Sequence, residues 1–367
     1  MWNVEVANDA EAKRGLAPVH RPIDRNPPYR RIATEEAWNI PEVLEAQVRL
    51  LAAPNAPDDP SLRMAGMFST LKGLQDQLME IGGRRIARMD ELGIDKQLLL
   101  LTSPGVQVLE PAEGTALARL ANDRLAEACR RYPDRFDGLT VFAPQDVNGA
   151  IAEIERGMRK LALNGAVLNS HFRGRYLDEL EFWPILEALE ANDAALYIHP
   201  TIPSQSWSQP YEYRGFGGAL AGFSHEVWMH TMGLIMSGAF DRFPKFRLVI
   251  GRMGEAMPLL LYRFDWMQSN ADGKPGLRGG APAVKLRHPI SYYFKNNIWI
   301  TTSGQGWEPS VKFCMDVLGP DRVIYAMDYP YQQSADEVAA YDAFDLSPEH
   351  KKMLMQTNAE HVFRLNR

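Results

Sequence analysis

The chain has 367 residues, of which 46% are hydrophobic and 23% charged, and its net charge is −6. This composition is typical of a folded protein with a large apolar core and excludes a chain that is disordered over most of its length. No basic run stands out that would follow a phosphate backbone, so nucleic acid is not an expected partner. The sequence contains no stretch of about 18 apolar residues and no apolar leader segment, so we expect a cytoplasmic protein without a membrane partner.

Short segments rich in valine, isoleucine and leucine alternate with longer segments of helical periodicity from residue 31 onwards. Amphipathic segments at 150–163, 181–192 and 257–268 are long enough to be crossover helices. This alternation is the pattern of repeated strand and helix units. It predicts eight strands, at residues 31–37, 96–103, 136–143, 165–171, 195–200, 246–254, 297–304 and 322–330.

Eight strands with interleaved helices predict an α/β fold, a closed (β/α)8 TIM barrel, over residues 31–367, preceded by an N-terminal extension, residues 1–30. A doubly wound open sheet is the alternative, but no glycine fingerprint follows the first strand. Segments 52–70, 201–223 and 271–290 are longer than a plain barrel requires. We interpret them as ordered insertions that cap the C-terminal face of the barrel or form subunit contacts.

Polar side chains stand at the carboxyl-terminal ends of the predicted strands, which in barrel enzymes surround one pocket. Burying so many polar groups without partners would be costly, so their position predicts a shared polar site at this rim. These residues are Glu35, Thr102, Ser103, Asn169, His171, His199, Arg252, Glu255, Thr302, Ser303 and Asp328.

Three of these residues, Glu35, His199 and Asp328, are of the types that a divalent transition metal binds, with two carboxylates and one imidazole. Three protein ligands leave positions open for substrate or water, as a catalytic metal requires. Each residue alone has an ordinary structural explanation, and His199 could be a hydrogen-bonded core histidine. Their shared position at three strand ends predicts a metal site.

Five separated segments carry a resemblance to a known family. They contain the sequences RIATEEAW from Arg31, LTSPGVQ from Leu101, NSH from Asn169 followed by GRYLD, YIHP from Tyr197, and YAMDYPY from Tyr325. In this order they resemble the decarboxylase branch of the amidohydrolase superfamily, which includes 5-carboxyvanillate, γ-resorcylate and aminocarboxymuconate-semialdehyde decarboxylases. The similarity runs from about residue 30 to about residue 365.

The resemblance implies a barrel enzyme with one divalent metal, Mn²⁺ or Zn²⁺, and no organic cofactor, which releases CO2 from a hydroxylated or methoxylated aromatic carboxylic acid. Matched by motif, Glu35, His199 and Asp328 would be the metal ligands, in agreement with the choice made from residue types. Many relatives have a histidine where this chain has Ala37, so three protein ligands are expected. Dimers are common in the family, and we expect a homodimer or higher homo-oligomer.

The resemblance also gives roles to individual side chains. Asp328 would donate a proton to the ring carbon that bears the carboxylate, and CO2 would then leave. Tyr331 would hydrogen-bond a phenolic or carboxylate oxygen, although packing explains it equally well. His171 would contact the substrate, and His230 would be a catalytic or ligand-orienting group. Because Glu226 precedes His230 by four residues, an ion pair on one helix face is the alternative for that histidine.

One segment departs from the family pattern. Where relatives have Gly-His-Met-Gly-Glu after the sixth strand, this chain has arginine at position 252. An arginine cannot act as a general base at neutral pH, but it can hold a carboxylate through two hydrogen bonds. We therefore expect Arg252 to clamp an anionic group of the substrate, beside a catalytic Glu255. Lost activity or a changed reaction is the alternative.

The substrate-binding arginine is a second departure. In the carboxyvanillate enzyme an arginine upstream of the segment equivalent to Arg84-Arg85 helps to hold the substrate, and this chain has only Arg63 and Lys72 near that place. Arg252 could be the relocated cation, and Arg85 is a further candidate substrate-binding residue.

Two other functions stay open from the sequence. One is a metal-dependent amidohydrolase that acts on an aromatic amide or lactone, which would need a base that Arg252 does not supply. The other is a catalytically altered paralogue with a binding role.

Overall fold

The computed structural model describes residues 20–271 and 284–365. Its strands are short and buried on both faces, as in parallel sheets that helices cover. They are β1 (Ile32–Trp38), β2 (Lys96–Leu101), β3 (Phe136–Gly138), β4 (Thr140–Val141), β5 (Ala166–Leu168), β6 (Leu196–Ile198), β7 (Leu248–Ile250), β8 (Ile298–Thr301) and β9 (Val323–Ile324).

Regular α-helices follow each strand of the barrel and also lie in the inserted segments. They are α1 (Pro41–Leu51), α2 (Pro60–Ser69), α3 (Lys72–Leu78), α4 (Gly83–Leu92), α5 (Pro111–Arg131), α6 (Val147–Arg159), α7 (Trp183–Ala191), α8 (Gln205–Glu212), α9 (Gly222–Met236), α10 (Ala239–Arg242), α11 (Met257–Ala271), α12 (Ile290–Asn296), α13 (Glu308–Leu318), α14 (Ala335–Ala343), α15 (Pro348–Lys352) and α16 (Asn358–Phe363). In the described residues, no helix combines the length and the apolarity needed to cross a membrane.

The strands pair in chain order. β1 to β3 form one parallel sheet and β4 to β9 form another. The predicted strand 136–143 is divided at Leu139, where the chain changes its partner. Leu139 N donates to Leu99 O, whereas Thr140 N donates to Gly165 O. β3 and β4 are therefore two halves of one stave, which joins the two sheets.

The first and last staves also lie side by side. Ala37 N donates to Tyr329 O at 2.7 Å, and Thr34 Oγ1 donates to Tyr325 O at 2.9 Å. With these contacts the eight staves follow one another around the molecule, and the predicted (β/α)8 barrel is confirmed.

All eight predicted strands are present, but most of them end before the predicted residue. Within four residues of the ends of four of them, the backbone adopts a left-handed conformation that is incompatible with a continuing strand. The φ angles are 52° at Ser170, 51° at Arg252, 65° at Gly304 and 71° at Asp328. The polar residues at the rim thus follow the strands and turn toward the space above the barrel.

The helix α6 shows how the sequence sets an element. Its N-cap Asp146 accepts a hydrogen bond from Gly149 N at 3.0 Å, which satisfies one of the free amides of the first turn. This cap starts the helix three residues before the predicted 150–163. Ala150, Ile154 and Gly157 are buried on one face, at helical spacing.

The first two predicted insertions cap the C-terminal face. Segment 52–70 contains α2, and segment 201–223 contains α8 and the start of α9. Residues from both line the pocket at that face. The third insertion, 271–290, lies largely outside the described residues.

The end of the predicted N-terminal extension crosses the opposite face of the barrel. Arg25 donates from Nη1 to Asp90 O and from Nη2 to Glu91 O, both at 2.9 Å. The first 19 residues of the extension lie outside the described ranges. The division into 1–30 and 31–367 stays a prediction.

A buried ion pair joins the residue before β1 to α14, and its loss should destabilise the barrel. Arg31 Nη2 lies 2.7 Å from Asp342 Oδ1, and the arginine side chain is only 2% exposed. We expect Arg31→Met to lower the free energy of unfolding by about 3 kcal/mol, because it leaves a largely buried carboxylate without its counter-charge. Urea titration measures this loss. The control Arg88→Met removes an exposed pair with Glu91 and should cost about 0.5 kcal/mol; equal losses would contradict the argument.

Candidate active site

Glu35, His199 and Asp328 come from the first, fifth and eighth strands of the barrel and meet at one site. Each offers one ligand atom, and these atoms all lie within 4.8 Å of one another. Glu35 lies in β1, His199 directly follows β6, and Asp328 follows β9. All three side chains are buried. The structure thus brings together the three residues that the sequence singles out as ligands.

Several polar atoms of this cluster have no protein partner. Among the described residues, no hydrogen bond is made by either ring nitrogen of His199 or by the Oδ1 atom of Asp328. Buried polar atoms without partners are costly, and a cation would satisfy one ring nitrogen of His199 together with the Oδ1 atom of Asp328. Burial lowers the pKa of His199 to about 4, so its ring is neutral and has a free lone pair. These donors fit a divalent transition metal.

Glu35 is held so that one of its oxygens faces the cluster. Its Oε2 atom accepts hydrogen bonds from the hydroxyl groups of Tyr197 and Thr301. Its Oε1 atom lies 3.5 Å from His199 Nε2. Burial raises the pKa of Glu35, but the charges of Arg252 and His199 and the hydrogen bonds from neighbouring hydroxyl groups together outweigh it and hold the pKa below its usual value. A Cβ atom at Gly251 would lie 2.6 Å from Oε2, so this place needs glycine.

Arg252 bridges the two carboxylates of the cluster. Its Nη1 atom lies 2.7 Å from Glu35 Oε1, and its Nη2 atom lies 3.0 Å from Asp328 Oδ2. The residue opens a five-residue run, 252–256, in which the φ angles are 51°, 55°, 66°, 51° and 61°. Four of these residues are not glycine, and each costs about 1–2 kcal/mol in this conformation. Such strain is typical of functional sites, and here it turns both Arg252 and Glu255 toward the pocket.

Two carboxyl groups of the site have pKa values that favour holding a proton. Burial raises the pKa of Glu255 to about 7 against the opposing charge of Arg252. Burial, together with the negative charge of Glu35, raises the pKa of Asp328 well above its usual value, although Arg252 opposes the shift. A bound cation would favour the ionised forms. The site can therefore store protons near neutral pH and release them when positive charge is added.

A cavity of about 940 Å³ lies above the cluster. Its polar floor includes His199, Arg252, Glu255 and Asp328, which agrees with the predicted common site at the rim. Tyr331 also lines it, and its hydroxyl contacts Thr102 Oγ1. The walls are largely apolar and come from the first two insertions, with Pro60, Met64, Met67, Phe68, Ile202, Ala219, Leu220 and Phe223. A planar ring with polar substituents on one edge fits such a cavity.

Comparison with known proteins agrees with this arrangement. The Amidohydro_2 family model, described as amidohydrolase, matches residues 78–365. The chain belongs to the amidohydrolase family. A crystal structure of 5-carboxyvanillate decarboxylase from Novosphingobium aromaticivorans, in complex with manganese and 4-hydroxy-3-methoxy-5-nitrobenzoic acid, is 43% identical. The similarity covers 94% of this amidohydrolase and 98% of that chain, with a TM-score of 0.88.

Two further relatives are similar over nearly their whole length. The structure of 5-carboxyvanillate decarboxylase from Sphingomonas paucimobilis is 38% identical, covering 91% of this chain and 99% of that one, with a TM-score of 0.86. The γ-resorcylate decarboxylase of Rhodococcus jostii is 30% identical over 348 residues, covering 92% of this chain and 99% of the relative. The similarity to decarboxylases of the amidohydrolase superfamily is confirmed.

Three other predicted site residues of this amidohydrolase do not line the pocket, which corrects the roles that the resemblance suggested for them. His171 Nε2 lies 2.9 Å from the carbonyl oxygen of Ile202, and its Nδ1 accepts from Gly174 N at 3.1 Å. Both nitrogens of the ring are therefore engaged by backbone. Arg85 is buried behind β1 and donates to Ala37 O. Neither side chain is placed to contact a substrate.

His230 belongs to a buried polar network on α9. Its Nε2 accepts from Leu177 N at 3.2 Å, and its Nδ1 lies 3.2 Å from Ser170 Oγ. Ser170 Oγ also donates to Glu226 Oε1 at 2.8 Å. Glu226 and His230 are thus linked through a hydroxyl group and not as a direct ion pair. The network supports the left-handed turn at Ser170 and does not line the cavity.

Sequence reasoning missed several side chains that shape the site. Tyr197 lies two residues before His199, and alternate residues of a strand point to the same side, so this spacing was a usable signal. The apolar wall residues Met64 and Phe68 carry no chemical signature of their own. Arg63 also lines the pocket, where the sequence offered it only as a neighbour of the expected substrate-binding position.

The neutral state of His230 predicts a loss of stability in acid. Burial lowers its pKa to about 3, so between pH 6.5 and that value the unfolded chain binds a proton that the folded chain does not. The neutral ring of His230 therefore contributes to the free energy of unfolding at neutral pH, and this contribution is lost as the pH falls. We expect wild type to lose on the order of 2 kcal/mol more than His230→Gln between pH 6.5 and 4.5 in urea titrations. The exposed-site variant His288→Gln should keep the wild-type dependence; parallel curves for wild type and His230→Gln would refute the expectation.

Proposed function

We propose that this amidohydrolase is a metal-dependent, non-oxidative decarboxylase of a hydroxylated or methoxylated aromatic carboxylic acid. The observation that carries the proposal is the cluster of Glu35, His199 and Asp328. Its donor atoms that have no partner among the described residues belong to side chains lining a cavity with a polar floor and apolar walls. Relatives of 43% and 30% identity that match nearly the whole chain are decarboxylases of aromatic acids.

The proposed cofactor is one divalent cation held by Glu35, His199 and Asp328. Manganese is the first choice, because it is bound in the similar Novosphingobium structure; zinc is the alternative. When bound at such a site, a divalent cation supplies Lewis-acid stabilisation of substrate oxygens. Tyr197 and Thr301 would fix Glu35 in the orientation for binding it, as outer groups do in many metal sites.

In the proposed reaction, Asp328 supplies the proton. Its protonated carboxyl group transfers H⁺ to the ring carbon that bears the substrate carboxylate, and a C–H bond forms at that carbon. The C–C bond to the carboxylate then breaks, its electron pair restores the aromatic ring, and CO2 leaves. Asp328 suits this role because its buried carboxyl group lines the cavity in which the ring would lie. The reaction leaves Asp328 ionised, and a proton from solvent restores it.

Arg252, Tyr331 and Glu255 complete the proposed site. Arg252 already binds two carboxylates through its two terminal nitrogens. Its guanidinium group could hold a substrate carboxylate or phenolate in the same way. Tyr331 lines the cavity beside Thr102 and can hydrogen-bond a ring substituent. Glu255 has one oxygen without a partner in the described part of the chain, and we propose it as a second proton-holding group.

The alternatives from the sequence are less well supported. A hydrolase would need a base at position 252, and an arginine paired with two carboxylates accepts no proton. A binding protein without activity would have no use for the strained run 252–256, which aims two charged residues into the cavity. A homo-oligomeric state and a cytoplasmic location remain predictions.

Decarboxylation can be tested directly. We expect purified protein with Mn²⁺ to release CO2 from a substituted 2-hydroxybenzoate, with an ultraviolet spectral change. Chelation should abolish the activity and added Mn²⁺ should restore it. Asp328→Asn should lose at least about 100-fold in kcat because it removes the proton donor. The control Asp345→Asn alters a side chain that is 96% exposed and should keep wild-type activity. A product that contains an added water and no CO2 release would instead indicate a hydrolase.

Arg252→Met tests the substrate clamp. We expect KM to rise by about 10- to 100-fold, because a charge-assisted hydrogen bond to an anion is worth about 1.5–3 kcal/mol. The measurement is made at saturating Mn²⁺, with bound metal verified, so that a metal-binding defect does not enter the result. The control Arg173→Met removes an arginine that is 39% exposed and pairs with Glu110. Unchanged substrate affinity in Arg252→Met would overturn the proposed role.

A further inference from the structure

The residue that follows the first proposed metal ligand is also a buried carboxylate. Glu36 is 0% exposed, and it does not line the cavity. Its Oε1 atom accepts from Met327 N at 3.0 Å, and its Oε2 atom accepts from Tyr329 N at 3.3 Å. These two amides belong to the residues on either side of Asp328. The carboxylate of Glu36 therefore binds the backbone both before and after a proposed metal ligand.

Asp328 needs such support because its backbone is strained. Its φ angle is 71°, a conformation that costs an aspartate free energy and persists only where surrounding contacts impose it. The side-chain direction of Asp328 depends on this backbone conformation. Among the described residues its Oδ1 atom has no hydrogen-bond partner, so no protein contact of that oxygen fixes the direction. Arg252 contacts the Oδ2 atom of Asp328, and the two hydrogen bonds from the flanking amides to Glu36 hold the backbone that carries the side chain.

Glu36 is itself held from two sides. Gln97 Nε2 donates to its Oε2 atom at 3.2 Å. Arg85, only 1% exposed, lies with its guanidinium 4.4 Å from the centre of the Tyr329 ring and donates to Ala37 O. Arg85 thus packs against the residue after Asp328 and ties it to β1. Glu36, Gln97 and Arg85 together form a buried support behind the cluster.

We propose that Glu36 is a positioning residue, which holds Asp328 in the left-handed conformation that aims its carboxylate at the metal. The inference rests on the proposed function, since it takes Asp328 as a metal ligand. It extends that function to a residue that touches neither metal nor substrate. Arg85 takes part through Tyr329, in place of the substrate contact that the sequence suggested.

The test is the affinity of variants for Mn²⁺ alone. Glu36→Gln keeps the size of the side chain, but a glutamine has one carbonyl oxygen and can accept from only one of the two amides. We expect its Kd for Mn²⁺ to rise about 10- to 100-fold, the usual effect of losing an outer-shell partner of a ligand. Metal-free full-length protein is titrated with Mn²⁺, and the unbound ion is counted by its electron paramagnetic resonance signal.

A matched control separates positioning from general destabilisation. Glu153 is a buried glutamate on α6, away from the pocket, whose Oε1 accepts from Asn122 Nδ2 at 2.8 Å. Glu153→Gln should lower Tm and leave the Kd for Mn²⁺ unchanged. If Glu36→Gln does not fold, Gln97→Met replaces it. This variant removes a single donor to Glu36 and should raise the Kd by about tenfold or less.

The outcomes are distinguishable. Tight binding of one Mn²⁺ by wild type, with weakened binding in Glu36→Gln or Gln97→Met and not in Glu153→Gln, supports the inference. Wild-type affinity in the folded variants, Glu36→Gln or its substitute, overturns it and leaves the proposed function standing. Absence of Mn²⁺ and Zn²⁺ binding by wild type would instead remove the proposed function itself.

Discussion

The structure depends on how one end of the barrel accommodates several buried carboxyl groups. Glu35, Asp328 and Glu255 all lie close enough to Arg252 to interact electrostatically with its guanidinium group. An ionised carboxylate in apolar surroundings is costly unless it is paired. Three negative groups against one guanidinium leave two charges uncompensated, which is the charge of one divalent cation. Protonation of Asp328 and Glu255 is the other way to relieve this excess, and burial raises the pKa of both groups in that direction.

A second constraint follows from the first, because the charged side chains must point toward the cluster as well as be neutralised. Left-handed backbone at Ser170, at Asp328 and over 252–256 turns the rim residues out of the sheet ladder. Two of these stretches, at Ser170 and at Asp328, have a buried polar partner outside the cavity. Gln107 Nε2 lies 2.5 Å from Asn169 O and 3.0 Å from His171 O, the carbonyl groups on both sides of Ser170. In the same way, Glu36 binds the backbone amides on both sides of Asp328. Strain at the rim is thus matched by hydrogen bonds beneath it.

Much of the fold and the ligand cluster could be predicted from the sequence. Eight apolar runs with polar ends imply barrel staves and a shared site, and they led to Glu35, His199 and Asp328. The orientation of side chains on helices and loops could not be predicted in the same way. Arg85 and His230 are residue types that are common in active sites. Both side chains are buried, however, and the packing around them determines their hydrogen-bond partners. The bridge from Arg252 to Glu35 and Asp328 joins residues from three staves, and no local pattern encodes it.

The pair Glu35 and Glu36 shows why one stave can serve two purposes. Neighbouring residues of a strand point to opposite sides, and the pairing of β1 with β2 shifts its register between Ala33 and Glu36. Glu35 therefore turns toward the cluster, where it can bind a cation. Glu36 turns toward the backbone around Asp328, which carries the other carboxylate of the cluster. The position of one proposed ligand and the support of the other are thus set by two consecutive residues, so a shift of β1 by one residue would disrupt both.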